Sequence, residues 1–200
     1  MAGVAEEVFW LRRTSTGLSG ILLGEPPDPL PDWVISDTHF GHKRIVELAG
    51  RPADHEQQML DWWTRLVGKD ETVLHLGDVS YRSSVWAERL AELPGRVLLV
   101  RGNHDQTQDV RRYRRIGWTV LEPFLFTWQG WRVLVTHEPQ ERSRLPRQTL
   151  NLHGHLHERF LTSKHINACV EVRGYRPVRL AELLDGHLAE MGANRLRQGA

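Results

Sequence analysis

The sequence predicts an α/β fold in which parallel and antiparallel strands are mixed. Three observations predict it. Short apolar runs recur along the chain, and each ends in a polar cluster. Amphipathic segments of helical period separate several of them, and one Gln-Gly pair between two apolar runs reads as a hairpin turn. Strand, loop and helix in repetition is the pattern of a sheet built with crossover helices.

Taken in order, residues 1–24 carry strand-like content in "VFWLRR" and "ILL". "EPPDPLPD", residues 25–32, holds four prolines. Proline lacks the backbone donor that a regular helix or central strand requires, so this stretch reads as a linker. Residues 1–32 are therefore expected to form an N-terminal extension with a Pro-rich linker. The main domain is expected over 33–190, and 191–200 as a flexible tail. From residue 33, "WVI" runs into "SDTHFGH", "TVLHL" into "GDVS", "VLLV" into "RGNHD", "WRVLV" into "THEP" and "LNL" into "HGHLH". Apolar runs this short suit buried strands. "HEQQMLDWWTRLV", "SVWAERLAEL" and "QDVRRYRRIG" read as helices, the last ended by Gly117. "FLFTWQGWRVLVTH" reads as the hairpin.

With 200 residues, 40% apolar and 26% charged, the chain fits one soluble domain with a developed core. Its formal charge of +1 gives no global pull toward nucleic acid or membrane. A single cysteine, Cys169, excludes an internal disulfide and a thiolate cluster; it sits in an apolar run and reads as packed. No apolar run approaches the ~18 residues of a membrane span, so no membrane partner is expected. "MAGVAEEVFW" lacks a charged region followed by an apolar one, so the cytoplasm is the expected compartment.

In open α/β sheets, ligands bind where loops leave the carboxyl ends of strands. The side chains gathered at those ends are Asp37, His39, Asp78, Asn103, His104, His137, His155 and His157. Carboxylate, carboxamide and imidazole without sulfur suit Mn, Fe, Zn, Ni or Co. The candidates outnumber the needs of one tetrahedral ion, so two metals are the better count, with one carboxylate bridging them. Such a pair can hold a hydroxide and stabilise a pentavalent phosphorus.

In this order, "DTH" (37–39), "GD" (77–78), "GNHD" (102–105), His137 and "GHLH" (154–157) resemble the calcineurin-like metallophosphoesterases. "SDTHFGHKRI" and "INACVEVRGYRPV" further resemble a small bacterial and phage subgroup of that superfamily. The resemblance implies a four-layer sandwich, two mixed β-sheets flanked by helices, with a dinuclear site along one edge. It implies that Asp37, His39, Asp78 and His157 hold one metal. Asp78, Asn103, His137 and His155 would hold the other, with Mn²⁺ favoured and Fe, Zn, Ni or Co as alternatives. His104 would act as general acid or transition-state stabiliser, with Asp105 hydrogen-bonded to it as an orienting carboxylate.

The implied substrate is a phosphate ester, with phosphodiesters favoured. His42, Lys43, Arg44 and Arg101 are basic neighbours expected to contact it. A second reading is a DNA or RNA nuclease, in which the Arg111–Arg115 helix holds the nucleic-acid backbone and Tyr113 offers a stacking platform. A third is a non-catalytic interaction scaffold, disfavoured because every ligand position is filled. His75 and His153 fall outside the pattern and read as packing or supporting residues, as do Trp62, Trp63 and Trp86. The sequence does not address oligomeric state.

Overall fold

A computed structural model describes residues 9–14, 17–21, 23–158 and 160–198. Two mixed sheets flanked by helices form its centre. In chain order the strands are β1 (Phe9–Thr14), β2 (Gly17–Ile21), β3 (Trp33–Ile35), β4 (Thr72–His75), β5 (Arg96–Val100) and β6 (Thr119–Leu121). They continue with β7 (Phe124–Trp128), β8 (Trp131–Val135), β9 (Thr149–His153), β10 (His165–Asn167) and β11 (Val178–Arg179). The helices are α1 (Ile45–Leu48), α2 (His55–Leu66), α3 (Ser83–Ala91), α4 (Thr107–Arg115) and α5 (Leu180–Gln198).

The first sheet has the order β11-β3-β4-β5-β6, parallel except for β11. The second has the order β10-β9-β8-β7, with one antiparallel pair, β7 and β8. That pair is the expected hairpin. Trp128 faces Trp131 across a two-residue turn in which Gln129 and Gly130 have φ of 46° and 78°. Both central residues of such a turn need positive φ, which Gly adopts freely.

Alternation along each strand divides the apolar side chains between two cores. Val34, Leu74 and Val100 point between the sheets, where they meet Phe124, Phe126, Val133, Val135, Leu150, Leu152 and Ile166. Their neighbours Trp33, Ile35, Val73, Val97 and Leu99 point outward beneath Met59 and Trp63 of α2, Trp86 and Leu90 of α3, and Tyr113 of α4. Each such side chain, buried on both counts of period and packing, contributes about 1.5–3 kcal/mol relative to exposure. Trp63 and Trp86 are core, as read, while Trp62 is half-buried and stacks under Arg65 and Arg176.

Residues 191–198 are helical, because α5 continues through them, and Met191 packs with Leu180, Leu184 and Leu188 against the inter-sheet core. The Pro-rich segment is anchored at its end. Leu30 packs on the inter-sheet core, and Asp32 accepts the Thr72 N–H through its carboxylate and the Leu180 N–H through its carbonyl.

Candidate metal centre

The loops leaving β3, β4, β5, β8 and β9 converge at one edge of the sandwich. Their approach depends on glycines. A methyl group on Gly77 would strike the backbone of Gly102, and one on Gly102 would strike Asp78. One on Gly154 would strike Ser36 Oγ and Asp37 Oδ2, so only glycine lets the β9 loop reach the β3 loop. Five of the seven expected ligands, Asp37, His39, Asp78, His155 and His157, have left-handed backbone, with φ between 48° and 69°. L side chains rarely adopt that region, and such strain persists where surrounding structure enforces it.

Asp37 is fully buried, and its two oxygens differ. Oδ2 accepts from Ser36 Oγ at 2.5 Å, the His155 N–H at 2.9 Å and Cys169 Sγ at 3.1 Å. Among the described residues Oδ1 has no hydrogen-bond partner, and neither has the buried Nε2 of His39, 3.8 Å away. Burial pushes His39 down to about 3, so its imidazole is neutral and offers a lone pair. Burial likewise keeps the Cys169 thiol protonated and able to donate to Asp37.

Asp78 lies between the two halves of the site. Its Oδ2 is 3.7 Å from His39 Nε2 and 3.4 Å from His137 Nε2. Burial opposes its charge, but hydrogen bonds from His137 and the His104 N–H outweigh that and hold it at about 2. His137 donates Nδ1–H to Leu76 O at 2.6 Å, which aims Nε2 at Asp78 and at Asn103 Oδ1, 2.8 Å away. His155 Nδ1 approaches the same Asn103 oxygen at 2.9 Å. Burial disfavours a charged His137, yet Asp78 and the Leu76 carbonyl lift it to about 9.

Two groups of ligand atoms result: Asp37, His39 and His157, and Asp78, His137 and His155, each within 4.8 Å of one another. Oxygen and nitrogen lone pairs crowded in a buried space call for positive charge between them. The unpartnered Asp37 Oδ1 and His39 Nε2 make the residues present a fit for divalent metal. The fold positions seven expected ligands together in this way.

The other expected site residues fall differently. The exposed ring of His104 lines a cleft of about 710 Å³ with His39, His42, His155 and His157, its centroid 5.5 Å from that of His39. No hydrogen bond joins Asp105 to that ring among the described residues. Its buried carboxylate instead accepts the N–H groups of Asp78, Val79 and Gly102, so it shapes the ligand loops. Lys43 and Arg44 are exposed and lie beside the cleft rather than in its lining. Arg101 folds back to donate to Asp105 O. Tyr113 faces the core, fully buried, with its hydroxyl on Ser80 Oγ, so it is no stacking platform. Arg112 bonds to Ser83 and Asp109, leaving Arg111, Arg114 and Arg115 exposed on α4. His75 is a packing residue: it accepts the Gly77 N–H and donates to Thr38 Oγ1. His153 donates Nδ1–H to Gly154 O.

Sequence reasoning missed Arg51 and Glu171. Glu171 Oε1 accepts from His157 Nδ1 at 2.6 Å and from Arg51 Nη2 at 2.6 Å. Arg51 also donates to the carbonyls of Asp37 and Thr38. Both charged groups are buried, and hydrogen bonds from His157 and the charge of Arg51 hold the Glu171 carboxyl low despite burial. The signal was an acid flanked by valines in "CVEV". Carboxylates that fix a ligating imidazole are worth about 10–100-fold in metal affinity. Glu171→Gln is therefore expected to weaken metal binding by that factor, read by competition with a chelator; unchanged affinity would show that His157 needs no such support.

Among curated proteins, the chain is 31% identical over 163 residues to an uncharacterized protein of Methanocaldococcus jannaschii, covering 74% of this chain and 86% of the relative. It is also 31% identical over 171 residues to the gene 66 protein of Mycobacterium phage L5, covering 68% and 81%. A solved structure of a protein of unknown function from Aquifex aeolicus superposes with a TM-score of 0.61 at 25% identity, over 76% of this chain and 97% of that one. The description of the calcineurin-like phosphoesterase superfamily domain matches residues 33–174, which hold all five converging loops, and the chain belongs to that superfamily.

Proposed function

We propose that the protein is a metal-dependent phosphodiesterase. The observation that carries this reading is the meeting of two ligand groups at Asp78, with Asp37 Oδ1 and His39 Nε2 left without a hydrogen-bond partner among the described residues. Asp37, His39, Asp78 and His157 would hold one divalent ion, and Asp78, Asn103, His137 and His155 the other. When bound, two such ions would supply a water-derived nucleophile at neutral pH and a positive seat for phosphoryl oxygens.

The chain's own residues do the rest. Asp78 keeps its charge at neutral pH and so remains a ligand to both halves of the site. His104, exposed in the cleft beside His39 and next in sequence to Asn103, would protonate the departing ester oxygen. The histidine of "GNHD" supports a diester over a monoester, because the superfamily members that this chain resembles and that keep it include many diesterases.

The test is metal removal and return. Protein stripped with chelator and reloaded with Mn²⁺ is expected to hydrolyse a bis-aryl phosphate faster than the mono-aryl compound, and the stripped protein neither. Preference for the monoester would redirect the reading to a phosphatase, and no turnover of either would overturn hydrolysis of simple esters.

A further inference from the structure

Beside the main cleft lies a smaller pocket of about 190 Å³, roughly six water volumes. It shares two walls with the cleft, His42 and Leu48. Its other walls carry Lys43, Arg44 and Arg82, and no carboxylate lines it. None of these three side chains makes an ion pair with another described residue. Three cations line one concave space, and Glu56, the carboxylate bonded to the Gly41 N–H, is not part of that lining, so the exposed walls carry a positive potential.

The pocket is built, not incidental. Gly41 holds φ of 81°, where a methyl group would meet the Trp86 ring. Its N–H is fixed by Glu56 Oε1 at 2.6 Å, and Tyr81 N–H bonds to Phe40 O at 2.9 Å. His42 meets the Tyr81 ring edge-to-face, with centroids 4.7 Å apart. The turn that presents Lys43 and Arg44 is thus clamped to the segment that presents Arg82. A fixed backbone on both sides spares a ligand the entropy of ordering the chain, and the exposed cationic side chains need only close on it.

We infer that this pocket binds a second phosphate of the substrate, so that the preferred substrates are diesters carrying a further phosphate next to the scissile one. A simple anion in the pocket needs no link to the cleft; the shared His42 and Leu48 give it one. Three cations also suit a phosphate dianion better than a carboxylate. This inference rests on the proposed hydrolytic reading of the neighbouring site.

The test compares a thymidine dinucleotide with its 5′- and 3′-phosphorylated forms on the Mn²⁺-loaded protein. At least one phosphorylated form is expected to show kcat/KM about tenfold higher. That preference should fall to near unity when Lys43→Gln, Arg44→Gln and Arg82→Gln are combined. No gain from either phosphate, or a gain that survives the triple variant, would overturn the inference. Turnover of bis-aryl phosphate, which has no second anion, reports on the hydrolytic reading separately. Should no dinucleotide be cleaved, calorimetric binding of the same three compounds to the same two proteins reads the pocket directly, with the same expected tenfold preference and loss.

Discussion

Asp78→Asn should remove turnover by at least about 10³-fold, equivalent to about 4 kcal/mol of barrier, and reduce bound metal. The substitution is isosteric. Oδ1 can still accept the His104 N–H, now 2.8 Å away, so the loop keeps one of its anchors. What is lost is the negative charge, and on one oxygen an acceptor becomes a donor facing His39 and His137. Those two imidazoles belong to the two different ligand groups, so one change should weaken both. Elemental analysis of purified protein after dialysis measures the metal, and a thermal melt of the stripped protein confirms folding. Full metal content in a folded, inactive variant would place Asp78 in the chemistry and not in binding.

His104→Ala should behave in the opposite way. Its contribution to the ligand loops is a backbone N–H, which alanine retains. Its ring is exposed on the cleft and has no side-chain hydrogen bond among the described residues. Both metals should stay, while turnover of a poor leaving group falls by about 10²–10⁴-fold, the usual worth of a positioned general acid. A leaving group that needs no protonation, such as nitrophenolate, should lose much less. Equal losses for good and poor leaving groups would exclude the acid role and leave stabilisation of the phosphoryl oxygens. Loss of metal would overturn both.

Much of the site was legible because its residues stand at strand ends. Apolar runs locate the strands, and a polar cluster directly after each run has only one edge of the sheet to occupy. The Gln129-Gly130 turn was legible for a related reason, since backbone sign and residue type are coupled. Asp105 was misread because adjacency in "GNHD" says nothing of direction: neighbouring side chains on a turn point apart, and its carboxylate went to three backbone donors. Tyr113 was misread by attending to the arginines around it. Val110 and Tyr113 stand three apart, and both are buried, so the helix period marked the ring as inward. The pairing of Arg51 with Glu171 spans 120 positions and leaves no local pattern. The helical continuation to residue 198 escaped because a polar end reads as a tail unless its apolar residues are counted around the helix.

The left-handed backbone at five expected ligand positions sets the site against the stability of the chain. Glycine or asparagine at Asp37, His39, Asp78, His155 or His157 would relax the chain at that point, since both accept positive φ more readily. Selection for stability alone therefore pushes these positions away from their present residues. Stability and the expected ligand set therefore pull these five residues in opposite directions, and a variant relaxed at any of them would give up a metal-binding side chain along with the strain.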